Sequence, residues 1–90
     1  MAKKTNYRKG EIEKLPDDKP VVYEIKTEGG KSNYVGIAKK GRVSERIIEH
    51  LGEIPGATVE INQFSSIEEA RKVEKKVIEK KKPKYNKLGK

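Results

Sequence analysis

The chain has no cysteine and a single histidine, His50. Disulfides and cysteine-type zinc sites are therefore excluded, and so is any site built from several histidines. A metal bound here must be a hard ion held by oxygen ligands and water. Apolar residues are scarce too: they make up 32% of the 90 residues, against 40% charged. So lean a core leaves little stability in reserve, and a polar residue at an apolar position needs a reason. No apolar run approaches the roughly 18 residues of a membrane span. Met1 to Gly10 has basic residues but no apolar stretch behind them. That argues against a signal peptide and makes the cytoplasm the expected location.

Positive charge is abundant. Lysine and arginine number 22 against 14 acidic residues, a formal net charge of +8. Such a surplus on a small chain suits a polyanionic partner, nucleic acid above all, although a lysine-rich surface also serves solubility. The length is that of one domain. Residues 1–19 are polar and basic, punctuated by Gly10 and Pro16, and read as a loose tail on which Ile12 and Leu15 dock locally.

From residue 20 the patterning becomes regular. Val21 to Thr27 and Ser32 to Ala38 read as strands, separated by Glu28-Gly29-Gly30-Lys31. Two glycines suit a tight hairpin turn, because they accept positive φ. Lys39-Lys40-Gly41-Arg42 is a basic loop. Ser44 is placed to cap a helix reaching Leu51, with Ile47, Ile48 and Leu51 inward. Ala57 to Phe64 forms a third strand. Ser66 and Glu69 have capping-box spacing, and the helix they start runs to about Lys81, where Pro83 forbids continuation. The expected order is strand, strand, helix, strand, helix and a short C-terminal segment, an α+β domain over residues 20–90.

Three features are not explained by folding alone. With Gly29-Gly30 as a two-residue turn, Tyr23 pairs with Gly36 and Ile25 with Tyr34. Both tyrosines then share a face as diagonal neighbours about 7–8 Å apart. Gly36 would leave open space beside the Tyr23 ring. Cross-strand aromatic packing is the ordinary alternative. Next, Glu74 falls in line with Ala70 and Ile78, inside an apolar stripe that includes Val73 and Val77. A carboxylate there costs free energy unless it is paired or metal-bound, or unless it reaches the stripe's edge and solvent. Finally, Arg46 and His50 lie four apart on one helical face. A guanidinium suits a phosphate and an imidazole can carry a proton. Glu45 and Glu49 offer both a bland alternative as ion-pair partners on a solvated face.

In order along the chain, these residues resemble the GIY-YIG nuclease family. Val21-Val22-Tyr23 and, eleven residues after Tyr23, Tyr34-Val35-Gly36 are similar to its paired signature. Arg46 and His50 resemble its arginine motif, Glu74 its metal-binding glutamate, and Pro83-Lys84-Tyr85-Asn86 its closing motif. The likeness covers about residues 20–88. Val21 stands where the family usually has glycine, and Ile37 where many relatives have a polar or basic residue. The stretch from Gly36 to Arg46 is slightly long for the family, and the spacing to His50 favours Arg46 over Arg42 for the family position.

The resemblance implies a three-stranded antiparallel sheet flanked by helices, and divalent-metal-dependent cleavage of DNA, branched or damaged forms included. It assigns Mg²⁺ or Mn²⁺ to Glu74, a phosphate clamp to Arg46 and a general base to Tyr23. Tyr34 would orient the phosphate or water, His50 relay the proton and Asn86 brace the site. Lys39, Lys40, Arg42 and Lys84 would contact nucleic acid. A targeting protein partner is compatible with the lack of an attached domain. The alternatives are a non-catalytic DNA- or RNA-binding module that keeps the fold, and a purely structural interaction protein.

Overall fold

A computed structural model describes residues 2–82. Its elements are β1 (Ala2–Asn6), α1 (Lys9–Ile12), β2 (Val21–Lys26), β3 (Ser32–Ala38), α2 (Val43–Ile48), β4 (Thr58–Gln63) and α3 (Ile67–Lys81). The four strands form one antiparallel sheet in the order β1-β4-β2-β3.

The expectation of three strands is corrected to four, and the segment read as a loose tail is folded. Residues 2–6 pair with β4 from Ala2↔Asn62 to Asn6↔Thr58. Tyr7, Ile12 and Leu15 behind them are buried. The strand escaped detection because it has no apolar alternation: Lys3, Lys4 and Asn6 are exposed. It is held by backbone bonds to β4. Lysines on an outer edge also discourage pairing with another chain.

The hairpin register is as expected where it matters. Tyr23 pairs with Gly36 and Ile25 with Tyr34. The turn itself differs. The Thr27 N–H donates to the Lys31 carbonyl at 2.9 Å, and the Gly30 N–H donates to the Thr27 carbonyl at 3.0 Å. Three residues therefore close the hairpin, with Gly30 at φ +89°, the left-handed position that such a loop requires. This shifts Lys26 onto Ser32, and a bulge at Asn33 restores the register. Its side-chain amide donates to the Pro55 carbonyl at 2.7 Å.

Helices cover both faces. On one, Val21, Tyr23, Ile25, Val59 and Ile61 pack against Ile12, Leu15, Val43 and Ile47 of the α1 and α2 side. On the other, Val22 and Val35 meet Ala70, with Val73, Val77 and Ile78 of α3 around them. Glu24 points to this second face, where Lys81 reaches it at 2.9 Å and ties the end of α3 to β2.

Capping corrects one expectation and supports another. Ser44 does not cap α2; the Val43 N–H donates instead to the Asp17 carboxylate at 2.9 Å. That partner lies 26 residues earlier in the chain, so no local pattern announces it. Ser66 does cap α3, accepting from the Glu69 N–H at 3.2 Å. The Glu69 carboxylate returns to Ser65, one residue earlier than a standard box would place it. Among the described residues no helix is long and apolar enough to cross a membrane.

Candidate active site

Tyr23 is fully buried in the middle of the sheet, between Gly36 on β3 and Ile61 on β4. Its hydroxyl lies 2.9 Å from His50 Nε2. Tyr34, half-buried on the same face, completes a cluster of three rings. Ring centroids are 6.0 Å apart for Tyr23–Tyr34, 5.8 Å for Tyr23–His50 and 4.6 Å for Tyr34–His50. His50 sits just past the end of α2, one turn after Arg46, which carries it over the sheet beside the tyrosines.

Gly36 makes this packing possible. The expected open space beside Tyr23 is not there, because the Tyr23 ring itself fills it. A Cβ built on Gly36 would stand 2.7 Å from the Tyr23 hydroxyl oxygen and 2.9 Å from Cε2 of Tyr34. Gly36→Ala is therefore expected to cost about 1–3 kcal/mol through overpacking and to displace the Tyr23 hydroxyl from His50. Thermal unfolding measures the first effect. Loss of the His50–Tyr23 contact in a crystal structure measures the second.

The electrostatics separate the two proton-bearing groups. Burial pushes the Tyr23 hydroxyl far above the usual tyrosine range, Tyr34 adds to this, and Arg46 opposes it. Burial also holds His50 below its ordinary value, and the charge of Arg46 works in the same direction. His50 is thus neutral at pH 7 and able to accept from the Tyr23 O–H. Its Nδ1 is buried and has no hydrogen-bond partner among the described residues.

Glu74 comes from the other side of the sheet. It projects from α3, half-buried, in the line of Ala70 and Ile78 as expected. Burial raises its pKa and Arg71 partly offsets that. Among the described residues it forms no hydrogen bond or ion pair. Its charge nevertheless acts on the Tyr23 hydroxyl. Because β3 is a sheet edge, elements from both faces meet beyond it. There they enclose a cavity of about 300 Å³ lined by Ile37, Lys39, Arg42 and Arg46 on one side and Ile67 and Arg71 on the other.

Of the expected nucleic-acid contacts, Lys39 and Arg42 line this cavity and Lys40 does not. Lys84 and Asn86 lie outside the described residues. Arg42 and Arg46 are exposed and held loosely along α2, Arg42 at 3.2 Å from Glu45 and Arg46 at 3.7 Å from Glu49. The sequence reading missed Arg71. The signal was available: Arg71 precedes Glu74 by three residues, the spacing that puts two side chains on one helical face. A larger cleft of about 1020 Å³ opens at the hairpin end of the sheet, and neither Tyr23 nor Tyr34 lines it. Arg8 and Glu28 give it charges of both signs, so it lacks the cationic character of the smaller cavity.

The Glu74 carboxylate is partly desolvated and, among the described residues, has no cationic partner at bonding distance, a state that a hard cation relieves. Among the described residues no group of three or more histidine, cysteine or acidic side chains is arranged to hold a metal. Water and substrate oxygens would have to supply the rest of the shell. No family model matches the chain, and none of the curated proteins compared with it matches either.

Proposed function

We propose that the protein is a metal-dependent endonuclease of the GIY-YIG type that hydrolyses DNA phosphodiester bonds. The observation that carries this reading is the Tyr23 hydroxyl placed 2.9 Å from a neutral His50, one helical turn from Arg46, which lines a cationic cavity, and within the field of a half-buried carboxylate. The net charge of +8 and the order of the sequence motifs support it.

In this mechanism Tyr23 takes a proton from the attacking water as its own O–H proton passes to His50 Nε2. The relay offsets the high proton affinity of Tyr23, because a phenolate need never persist in the buried site. Arg46 grips the scissile phosphate with a planar pair of donors. Tyr34 flanks both rings and orients the phosphate or the water. Asn86 would brace the site. Glu74 would hold Mg²⁺ or Mn²⁺, which when bound stabilises charge developing on the phosphate.

The experiment is incubation of the protein with supercoiled and branched DNA, with Mg²⁺ or Mn²⁺ and with EDTA. Cleavage that depends on the metal supports the reading; cleavage that persists in EDTA removes the metal role. One observation favours a second reading, a nucleic-acid-binding module without turnover. The raised pKa of Tyr23 makes it a poor base as it stands. Salt-sensitive binding with no cutting under either metal would select that alternative.

The relay also predicts a pH profile. It requires neutral His50, whose ordinary pKa is about 6.5 and is lowered here. The acid limb of kcat/KM is therefore expected below pH 6.5; a limb above pH 7 would exclude His50 as the acceptor. Stability follows the same group. The unfolded chain takes a proton on His50 near pH 6.5, whereas the folded chain does so only at lower pH. The domain should therefore lose stability as pH falls through that window.

A further inference from the structure

We propose that Arg71 grips a second phosphate of the substrate strand, next to the one that reacts. The inference rests on reading the cavity as a phosphodiester site. The cavity beyond β3 has an apolar wall at Ile37 and Ala38, so its anion-binding groups must come from the flanking segments. Two are on or beside α2, Arg42 and Arg46, and each is engaged by a carboxylate of the same helix. Arg71 faces them from α3. Among the described residues its guanidinium takes no ion pair, so its donors are free to meet an anion in the cavity.

The two best-placed guanidiniums stand on different walls. Arg46 is one helical turn before His50, which bonds the Tyr23 hydroxyl, so it is the one assigned to the reacting phosphate. Arg71 stands on the opposite wall. Two planar donor forks on facing walls of a cavity of about 300 Å³ suit a chain carrying phosphates at successive positions. The substrate class this selects is a polynucleotide strand, in preference to an isolated phosphodiester.

The experiment compares Arg71→Ala with Lys76→Ala, which removes the same charge from an exposed position elsewhere on α3. Binding of a fluorescent oligonucleotide is measured in EDTA over a range of salt concentrations. Arg71→Ala is expected to weaken binding about tenfold and to reduce the slope of log K against log salt by about one, the loss of one phosphate contact. Arg71→Lys should keep the slope while losing part of the affinity, because it retains charge without the fork. In metal-supported cleavage the Arg71→Ala change should appear in KM, with kcat within about threefold. Equal behaviour of Arg71→Ala and Lys76→Ala would overturn the proposal. So would a fall in kcat at unchanged KM, which would mean that Arg71 acts through Glu74. Arg71-dependent binding without any cleavage would uphold the second phosphate site while removing the hydrolase reading.

Discussion

Tyr23→Phe is expected to lower the rate of DNA cleavage by about 10²–10⁴, the usual contribution of a positioned proton-transfer group, with little change in DNA affinity. The substitution isolates the hydroxyl. The ring is fully buried in the sheet between Gly36 and Ile61, and phenylalanine keeps that packing. The cost to folding is one hydrogen bond to His50, about 1 kcal/mol, so the variant should remain folded. Single-turnover cleavage and oligonucleotide binding separate the two effects. Cleavage at the parental rate would remove Tyr23 from the chemistry and leave the ring cluster as packing. His50→Gln offers a companion measurement, because it removes the proton acceptor while leaving the tyrosine in place.

Glu74→Gln is expected to do two opposite things. Cleavage should fall by at least about 10³, since the cation held there would contribute several kcal/mol to charge stabilisation. Stability of the metal-free protein should rise, by on the order of 0.5–1 kcal/mol, because an amide is less costly than a carboxylate at a half-buried position with no partner among the described residues. For a domain of this size that is an increase of a few degrees in Tm. The pH dependence has a definite sign. Burial raises the pKa of Glu74, so its unfavourable contribution is absent in acid and develops as pH rises through its folded value. The stability gain of Glu74→Gln should therefore be present at neutral pH and vanish in acid. Added Mg²⁺ should raise the Tm of the parent chain and not that of the variant. A variant that is destabilised at neutral pH, or that keeps cutting, would remove Glu74 from the metal role. Activity and stability are in conflict at this residue, as is common where a site must hold charge away from water.

Much of this arrangement is legible in the sequence. Tyr23 and Tyr34 share a face because period-two alternation and an opposed Gly36 fix the register. That register is right although the turn behind it is wrong. Gly30 closes a three-residue loop, and the bulge at Asn33 compensates for it. Without that bulge, the one-residue difference in the turn would have put the rings on opposite faces. The place of Glu74 in the apolar stripe followed from helical spacing alone.

What the sequence did not disclose is non-local. β1 has no apolar alternation, because an edge strand needs only backbone pairing, and its partner is β4. The cap of α2 comes from Asp17 in a distant loop. Arg71 becomes meaningful only when α3 and α2 are seen to converge beyond the edge of β3. Gly36 reads in the sequence as a gap, whereas the neighbouring Tyr23 ring occupies that gap. In each case the missing information is a contact between segments that local pattern cannot connect.

The pairing of β1 with β4 has a consequence for how the chain assembles. Their partners are separated by 52 to 60 residues, from Asn6↔Thr58 to Ala2↔Asn62. The β2–β3 hairpin closes over a few residues and carries Tyr23, Gly36 and Tyr34 with it. Local contacts form quickly, while distant ones wait for a large loss of chain freedom. On a ribosome, β1 therefore emerges well before the strand that gives it its place. Until β4 is made, β1 has no partner, and its lysines keep the waiting strand solvated and separate from other nascent chains.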